Sequence, residues 1–171
     1  MKLKESSMSG TKKRESTPVP DESNGFLAEH ASRLIRSYRR WTGRDLVDAE
    51  LSPVEQARAL YEAPFVTASH GTEADPVFNY ANRAALTLFE TVWADFTSMP
   101  SRLSAEPVAR EERTQLLARV NQRGFIDDYS GIRISTSGRR FRIRRATVWN
   151  VVDARGAPGG QAVVFRDWEY L

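Results

Sequence analysis

The residues best equipped for chemistry in this 171-residue chain are arginines set near a glutamate and a tyrosine: Arg102, Glu106, Arg113, Tyr129 and Arg133. Arg102 and Arg133 with the Tyr129 phenol can hold a carboxylate or a phosphate through charge-assisted hydrogen bonds. If these guanidiniums turn inward, each needs a partner, because a buried unpaired charge is costly. Either Glu106 and neighbouring carboxylates supply it, as a structural network, or a small anionic ligand does. A second group, Arg139, Arg140, Arg142, Arg144 and Arg145, forms the one concentrated positive stretch. In a strand, Arg140, Arg142 and Arg144 share a face, with Phe141, Ile143, Thr147, Trp149 and Val151 on the other. No aromatic residues interleave on the arginine side, as stacking on bases requires, so a solvated outer face is expected rather than a nucleic-acid surface.

Other chemistries find less support. The chain has 2 histidines. His30 lies among the apolar positions of a helix and reads as a packing or partner-contact residue. His70 ends a strand before Gly71 and reads as a turn cap. No ligands stand at metal spacing, and no glycine-rich phosphate loop, nucleophile elbow or HExxH string occurs. Glu111-Glu112 and Asp127-Asp128 are adjacent pairs whose members point to different faces. With 0 cysteines, a thiolate metal site, a catalytic thiol and a cysteinyl-flavin adduct are all excluded. Nothing in the sequence supports a haem or a non-covalent flavin, and the cofactor is left open.

The elements that must position these residues follow from composition and period. The chain is 40% apolar with a net charge of +3, enough for a real core. Its lysines all lie in the first 13 residues, so the pI of 9.4 marks no basic domain. No apolar run suffices for a membrane span, and the start lacks an apolar leader, so a soluble, cytoplasmic protein is expected. Residues 1–24 are polar and are expected as a disordered tail. Leu27, Ala31, Leu34, Tyr38 and Trp41 recur at helical spacing over Phe26–Trp41, with Asn24 before them as a cap and Gly43 after. Ser52-Pro53-Val54-Glu55 is a capping box that opens a second helix, ending before Pro64.

Two short strands, Phe65–Ser69 and Val77–Tyr80, precede a helix from Asn82. An irregular stretch follows, anchored by Trp93, Phe96 and Met99, and then a helix that stops at Gly124. The period then becomes 2 over Phe125–Thr136, Arg140–Val152 and Gln161–Trp168. The apolar parity changes within the first of these, and Gly131 marks a β-bulge there. Hairpin-connected strands are antiparallel, and the early strands must join the same sheet to avoid open edges. The expected fold is α+β: a five-stranded antiparallel sheet with helices packed on one face, plus N-terminal helices, the arrangement of a PAS-type domain.

Several strings sharpen this. Phe78-Asn79-Tyr80-Ala81-Asn82-Arg83-Ala84-Ala85-Leu86 resembles the strand-to-helix segment of PAS domains. Pro100-Ser101-Arg102-Leu103-Ser104-Ala105-Glu106-Pro107, Tyr129-Ser130-Gly131-Ile132-Arg133-Ile134-Ser135, Gly138-Arg139-Arg140-Phe141 and Val148-Trp149-Asn150 resemble the MEKHLA domain, a PAS-like family. That family occurs alone in bacteria and algae, and at the end of plant class III homeodomain leucine-zipper factors. The resemblance covers roughly residues 30–171 and implies helices at 25–62 and a PAS-like MEKHLA domain at 63–171. It implies a sensory or regulatory role with an unnamed ligand; plant DNA binding is not carried over, since homeodomain and zipper are absent.

The functional expectation is a non-enzymatic module that binds a small molecule between sheet and helices and signals through protein contacts. Candidate ligand residues are Arg102, Glu106, Arg113, Tyr129, Arg133, Phe141 and Trp149, the last two as the apolar wall. A small enzyme using the Arg/Glu/Tyr cluster is the alternative, and a nucleic-acid binder using Arg139–Arg145 the third reading. The helix Phe26–Trp41 is expected to cap the outer sheet face or to pair with a protein partner or its copy in a homodimer, with Ala146, Val148, Ala162 and Val164 receiving it.

Overall fold

Local chemistry starts and stops the helices much where the residue types place them. In a computed structural model that describes residues 17–171, Ser52 Oγ accepts from Glu55 N while the Glu55 carboxylate accepts from Ser52 N. Asn82 caps another helix through Ala85 N, and Gly43 ends the first with a φ of 71° that glycine alone adopts cheaply. The helices are α1 (Ala28–Thr42), α2 (Pro53–Tyr61), α3 (Arg83–Leu88), α4 (Trp93–Phe96) and α5 (Arg110–Arg123). The strands are β1 (Val66–His70), β2 (Phe78–Ala81), β3 (Phe125–Ile134), β4 (Arg140–Val152), β5 (Pro158–Phe165) and β6 (Asp167–Tyr170).

The first helix begins later than its apolar stripe predicts. Asp21, not Asn24, caps a 3-10 turn over Glu22–Leu27, and Phe26 and Leu27 take φ of 53° and 54° before α1 opens. The tail expected over residues 1–24 lies outside the described residues as far as 16. Beyond that, Trp93 Nε1 donates to Thr17 O at 2.8 Å and Pro20 is buried.

The strands form an antiparallel sheet in the order β2-β1-β5-β4-β3, with β6 also paired to β4. Six strands replace the expected five because the last one is cut. β5 and β6 follow the same edge of β4 in one continuous register, Thr147 opposite Val164 and Arg144 opposite Asp167. The interruption at Arg166 falls where β4 kinks.

That kink decides which side chains reach which face. Between Tyr129–Ala146 and Gly131–Ile143, β3 advances two residues while β4 advances three. The extra residue sits on β4, where Arg145 has φ 49°. Between Ile126–Val148 and Tyr129–Ala146 the surplus is on β3, at Asp127-Asp128. The bulge expected at Gly131 is found immediately before it, between Tyr129 and Gly131, with its surplus residue on β4, and a second bulge lies at Asp127-Asp128.

The consequence is a correction at Trp149. Phe141 and Ile143 face α3 and α5, and after the bulge Ala146 and Val148 face the same way, whereas Trp149 and Val151 turn to α1. Trp149 and Phe141 line opposite faces, and Ala146 and Val148 cannot receive α1. Ala162 and Val164 do receive it, as expected, together with Trp149. Tyr38 meets Trp149 edge-on at 5.1 Å, and Trp41 Nε1 donates to Asn150 O at 2.9 Å. So the sheet is covered twice, by α1 and α2 outside and by α3 to α5 inside.

The left-handed turn at Arg145 can be tested directly. An L-residue there costs about 1 kcal/mol, while its exposed ion pair with Asp167 is worth little. Arg145→Gly is expected to melt at or slightly above the parent temperature, and Arg145→Val well below it. A marked loss in the glycine variant would refute the bulge.

His30 supplies a pH test of the outer layer. Its ring stacks on Tyr80 at 5.5 Å, its Nε2 lies 3.1 Å from Ser69 Oγ, and burial beside Arg33 lowers its pKa to about 4. The unfolded chain, with an ordinary histidine pKa near 6.5, therefore binds the proton more readily. Stability is full above pH 6.5 and falls as pH drops towards 4, by about 3 kcal/mol from this group. Urea titrations of the parent and His30→Gln from pH 7.5 to 4.5 should show a shallower acid loss in the variant. Parallel slopes would mean that His30 is protonated in the fold.

Candidate functional site

The inner layer encloses a cavity of ≈ 80 Å³ between α5 and the sheet. Its apolar wall comes from Ala68 and Phe78, Phe89, Leu116, and Ile143, Val148, Val163 and Phe165. Each position follows from strand alternation corrected for the bulges. The surplus residue at Asp127-Asp128 puts Ile126 and Tyr129 on one face, and Arg133 follows two pleats later. Tyr129 and Arg133 are both turned inward.

Three of the candidates meet there. Arg113 arrives from the first half of α5, and Arg133 and Tyr129 from β3. Both arginines are only 9% exposed. Arg113 donates to Ser101 Oγ at 2.5 Å, and Arg133 to the carbonyl of Ile132 at 2.8 Å. The Arg133 guanidinium lies over the Tyr129 ring at 5.4 Å. Neither makes an ion pair within 4.0 Å among the described residues. Burial, and then the Arg133 charge, push the Arg113 pKa down to about 10. Two cations thus line one half-open cavity with no direct ion pair, and the only carboxylate that acts on Arg113 is that of Asp75, which pairs with Arg102 at the surface.

Gly131 has a different reason from the one its position suggested. A methyl group there would overlap the Tyr129 phenol, so the glycine lets the tyrosine fold back over the strand.

The other candidates are elsewhere. Arg102 donates its Nε to both oxygens of Asp75 at 3.2 Å on the surface. Glu106 pairs with Arg140, also at the surface, and so is no partner of Arg133. The expected Arg133–Glu106 network does not form, since the 3-10 turns at 101–109 carry Glu106 outward towards the start of β4. Phe141 is fully buried against Phe89, inside but behind the cavity wall, and Trp149 belongs to the α1 layer.

The arginine stretch carries its own counter-ions. Arg142 and Arg144 pair with Glu169, Arg145 with Asp167 and Arg140 with Glu106, while Arg139 lies over the Tyr170 ring. β6 supplies most of these partners, and they leave no unpaired basic face along Arg140–Arg145.

Four polar cavity residues, Ser69, His70, Ser104 and Gln161, are absent from the candidate ligand set. His70 does cap its turn, with Nδ1 3.0 Å from Gly71 O, but its ring also borders the cavity, as does Gln161 of β5. The apolar run around His70 conceals this, because strand parity alone sends a terminal side chain either way. Among the described residues no group of three or more histidine, aspartate and glutamate side chains is placed to hold a metal. No helix of the described chain is long and apolar enough to cross a membrane.

A five-stranded path of sheet with helices over a ligand-sized inner space defines a PAS-type domain, and solved structures agree. The fold is similar to the PAS domain of a Colwellia psychrerythraea protein, with TM-score 0.56 and 15% identity, covering 66% of this chain and 93% of that one. It is also similar to a light-oxygen-voltage domain studied with a flavin analogue, with TM-score 0.52 and 16% identity, covering 68% and 84%. Within that class, the MEKHLA domain model matches residues 28–170, and the chain belongs to the MEKHLA domain family. Among curated relatives, the Arabidopsis thaliana homeobox-leucine zipper protein ATHB-9 is 27% identical over 143 residues, 81% of this chain and 17% of its own length. HOX32 of Oryza sativa subsp. indica is 25% identical over 137 residues, 80% and 16% respectively. The chain spans about one sixth of the length of the curated relatives it matches.

Proposed function

We propose that this chain is a non-enzymatic sensory or regulatory module that binds a small anion in the inner cavity and passes the occupied state to a protein partner. The observation that carries this reading is the pairing of Arg113 and Arg133, both buried, in one cavity, with no carboxylate within 4.0 Å of either among the described residues and only Asp75, held by Arg102, acting on Arg113 from further off. Two like charges in a low-dielectric space are costly, and an anion between them removes the cost. Tyr129 adds a phenolic donor.

Size narrows the choice. An apolar cavity of about 150 Å³ accommodates benzene, so ≈ 80 Å³ suits an anion of roughly three to five heavy atoms. That volume favours a small anion over a three-ring flavin, and the thiol for a covalent flavin adduct does not exist in this chain. Room for a single small ligand favours binding over a reaction between two substrates. The arginine ladder paired by Glu106, Asp167 and Glu169 argues against a nucleic-acid surface. The exposed arginines of α1 offer one route for the readout, since the other side of that helix holds the sheet.

Thermal unfolding with inorganic phosphate, formate, acetate and propionate tests the reading. A ligand at a hundred times its Kd stabilises the fold by about 2.7 kcal/mol, which a 150-residue domain reports as a rise of several degrees. At least one carboxylate should produce a saturable rise at constant ionic strength. A flat response to all of them would sink the proposal.

A further inference from the structure

One end of the cavity asks for something the two arginines do not. His70 Nδ1 faces the carbonyl of Gly71 at 3.0 Å, and a carbonyl can only accept, so the ring proton sits on Nδ1. Nε2 is then a bare lone pair. It is shut off from solvent and has no hydrogen-bond partner among the described residues. Burial lowers the pKa of this imidazole and the Arg113 charge adds to it, outweighing the Gly71 carbonyl, the Glu73 charge and the Gln161 side chain, all of which favour the protonated ring, so the ring is neutral.

The neighbour best placed to help cannot. Gln161 also lines the cavity, but its amide nitrogen donates to Leu117 O and to Asn150 Oδ1, both at 3.1 Å. Both of its protons are spent, which leaves its carbonyl oxygen as another acceptor. This end of the cavity is rich in acceptors, while the Arg113–Arg133–Tyr129 end is rich in donors. Buried polar atoms in native folds are paired in the great majority of cases, so a ligand that completes the set is favoured over one that does not.

We infer that the cavity selects a short α-hydroxy acid, its carboxylate held by Arg113 and Arg133 and its hydroxyl donating to His70 Nε2. This deepens the anion-binding reading and rests on it. A carboxylate without a donor would bind through the arginines but leave the imidazole unpaired, and that penalty is the source of selectivity. An ammonium group in place of the hydroxyl would be a third cation beside Arg113 and Arg133, offset only by the Glu73 charge that also acts on this ring.

Calorimetric titration of the full chain with lactate, propionate, pyruvate and alanine separates the possibilities. Lactate should bind at least tenfold more tightly than propionate or pyruvate, which match its size but carry no hydroxyl, and more tightly than alanine. In His70→Leu lactate should weaken to the level of propionate, while propionate affinity stays within about threefold, which also shows that the variant folds. If propionate and lactate bind the parent equally, the hydroxyl assignment is wrong and the anion site stands. Tightest binding of alanine would overturn the assignment in favour of an amino acid. If none of the four binds, the inference falls, and the anion site falls with it when phosphate, formate and acetate also leave the melting temperature unchanged.

Discussion

Replacing Arg133 by methionine is expected to abolish anion-dependent stabilisation while leaving the unliganded protein within about 1 kcal/mol of the parent. The two halves of this result have separate causes. On the binding side, the variant loses one of two buried charge-assisted donors, worth about 1.5–3 kcal/mol, or roughly a 10- to 150-fold weakening. On the stability side, it loses the contact with the Tyr129 ring at 5.4 Å and one bond to a backbone carbonyl. Against that, it relieves the repulsion that adds to burial in lowering the Arg113 pKa, and it removes a buried guanidinium that has no ion pair within 4.0 Å among the described residues. Methionine is flexible enough to fill the vacated space beside the apolar wall. Thermal melts with and without propionate read both halves. A loss of ~3 kcal/mol or more without ligand would mean that Arg133 is a structural tie, and the anion reading would lose its main support.

The largest loss of stability from a single polar side chain is expected at Asn82. It is fully buried, and its amide group makes four bonds to the backbone of three elements. Oδ1 accepts from Thr67 N and Ala85 N, both at 3.1 Å, while Nδ2 donates to Leu60 O at 3.1 Å and Phe65 O at 2.7 Å. One residue therefore ties the end of α2, the start of β1 and the cap of α3. Asn82→Ala strands two buried N–H groups and two carbonyls, at about 1–3 kcal/mol for each that water cannot reach. A loss of about 4 kcal/mol is expected in urea unfolding. Asn82→Asp should be no better, because a carboxylate would face the carbonyls of Leu60 and Phe65. A loss under 1 kcal/mol in either variant would show that the knot is not formed.

Local signals carried much of the fold. The capping box at Ser52, the cap at Asn82 and the glycines at 43 and 124 act within four residues, and each marks the element it marks in the structure. Alternation also gave the strands. It failed at parity within β4, because both faces of that strand are covered. Phe141 and Ile143, then Ala146 and Val148, and also Trp149 and Val151 all read as core, and no glycine betrays the turn at Arg145. The site was legible in part for the same reason. Arg113, Tyr129 and Arg133 were visible as polar residues on elements that face the cleft. The surface pairings of Arg102 with Asp75 and Glu106 with Arg140 link residues 27 and 34 positions apart, which no local pattern reports. The free nitrogen of His70 depends on where one carbonyl at Gly71 points.

The surplus residue at Asp127-Asp128 also matters to what this protein does not do. β3 is the outermost strand on its side of the sheet, and a free edge is a template for another chain to pair with. Here the edge is bent, and two adjacent carboxylates stand exposed on the bend, Asp127 within 3.6 Å of Arg44. An incoming strand would meet an interrupted row of amides and a concentrated negative charge. The opposite edge, β2, is only four residues long. Growth of the sheet into a shared ribbon or a fibre by addition at the β3 edge is therefore disfavoured.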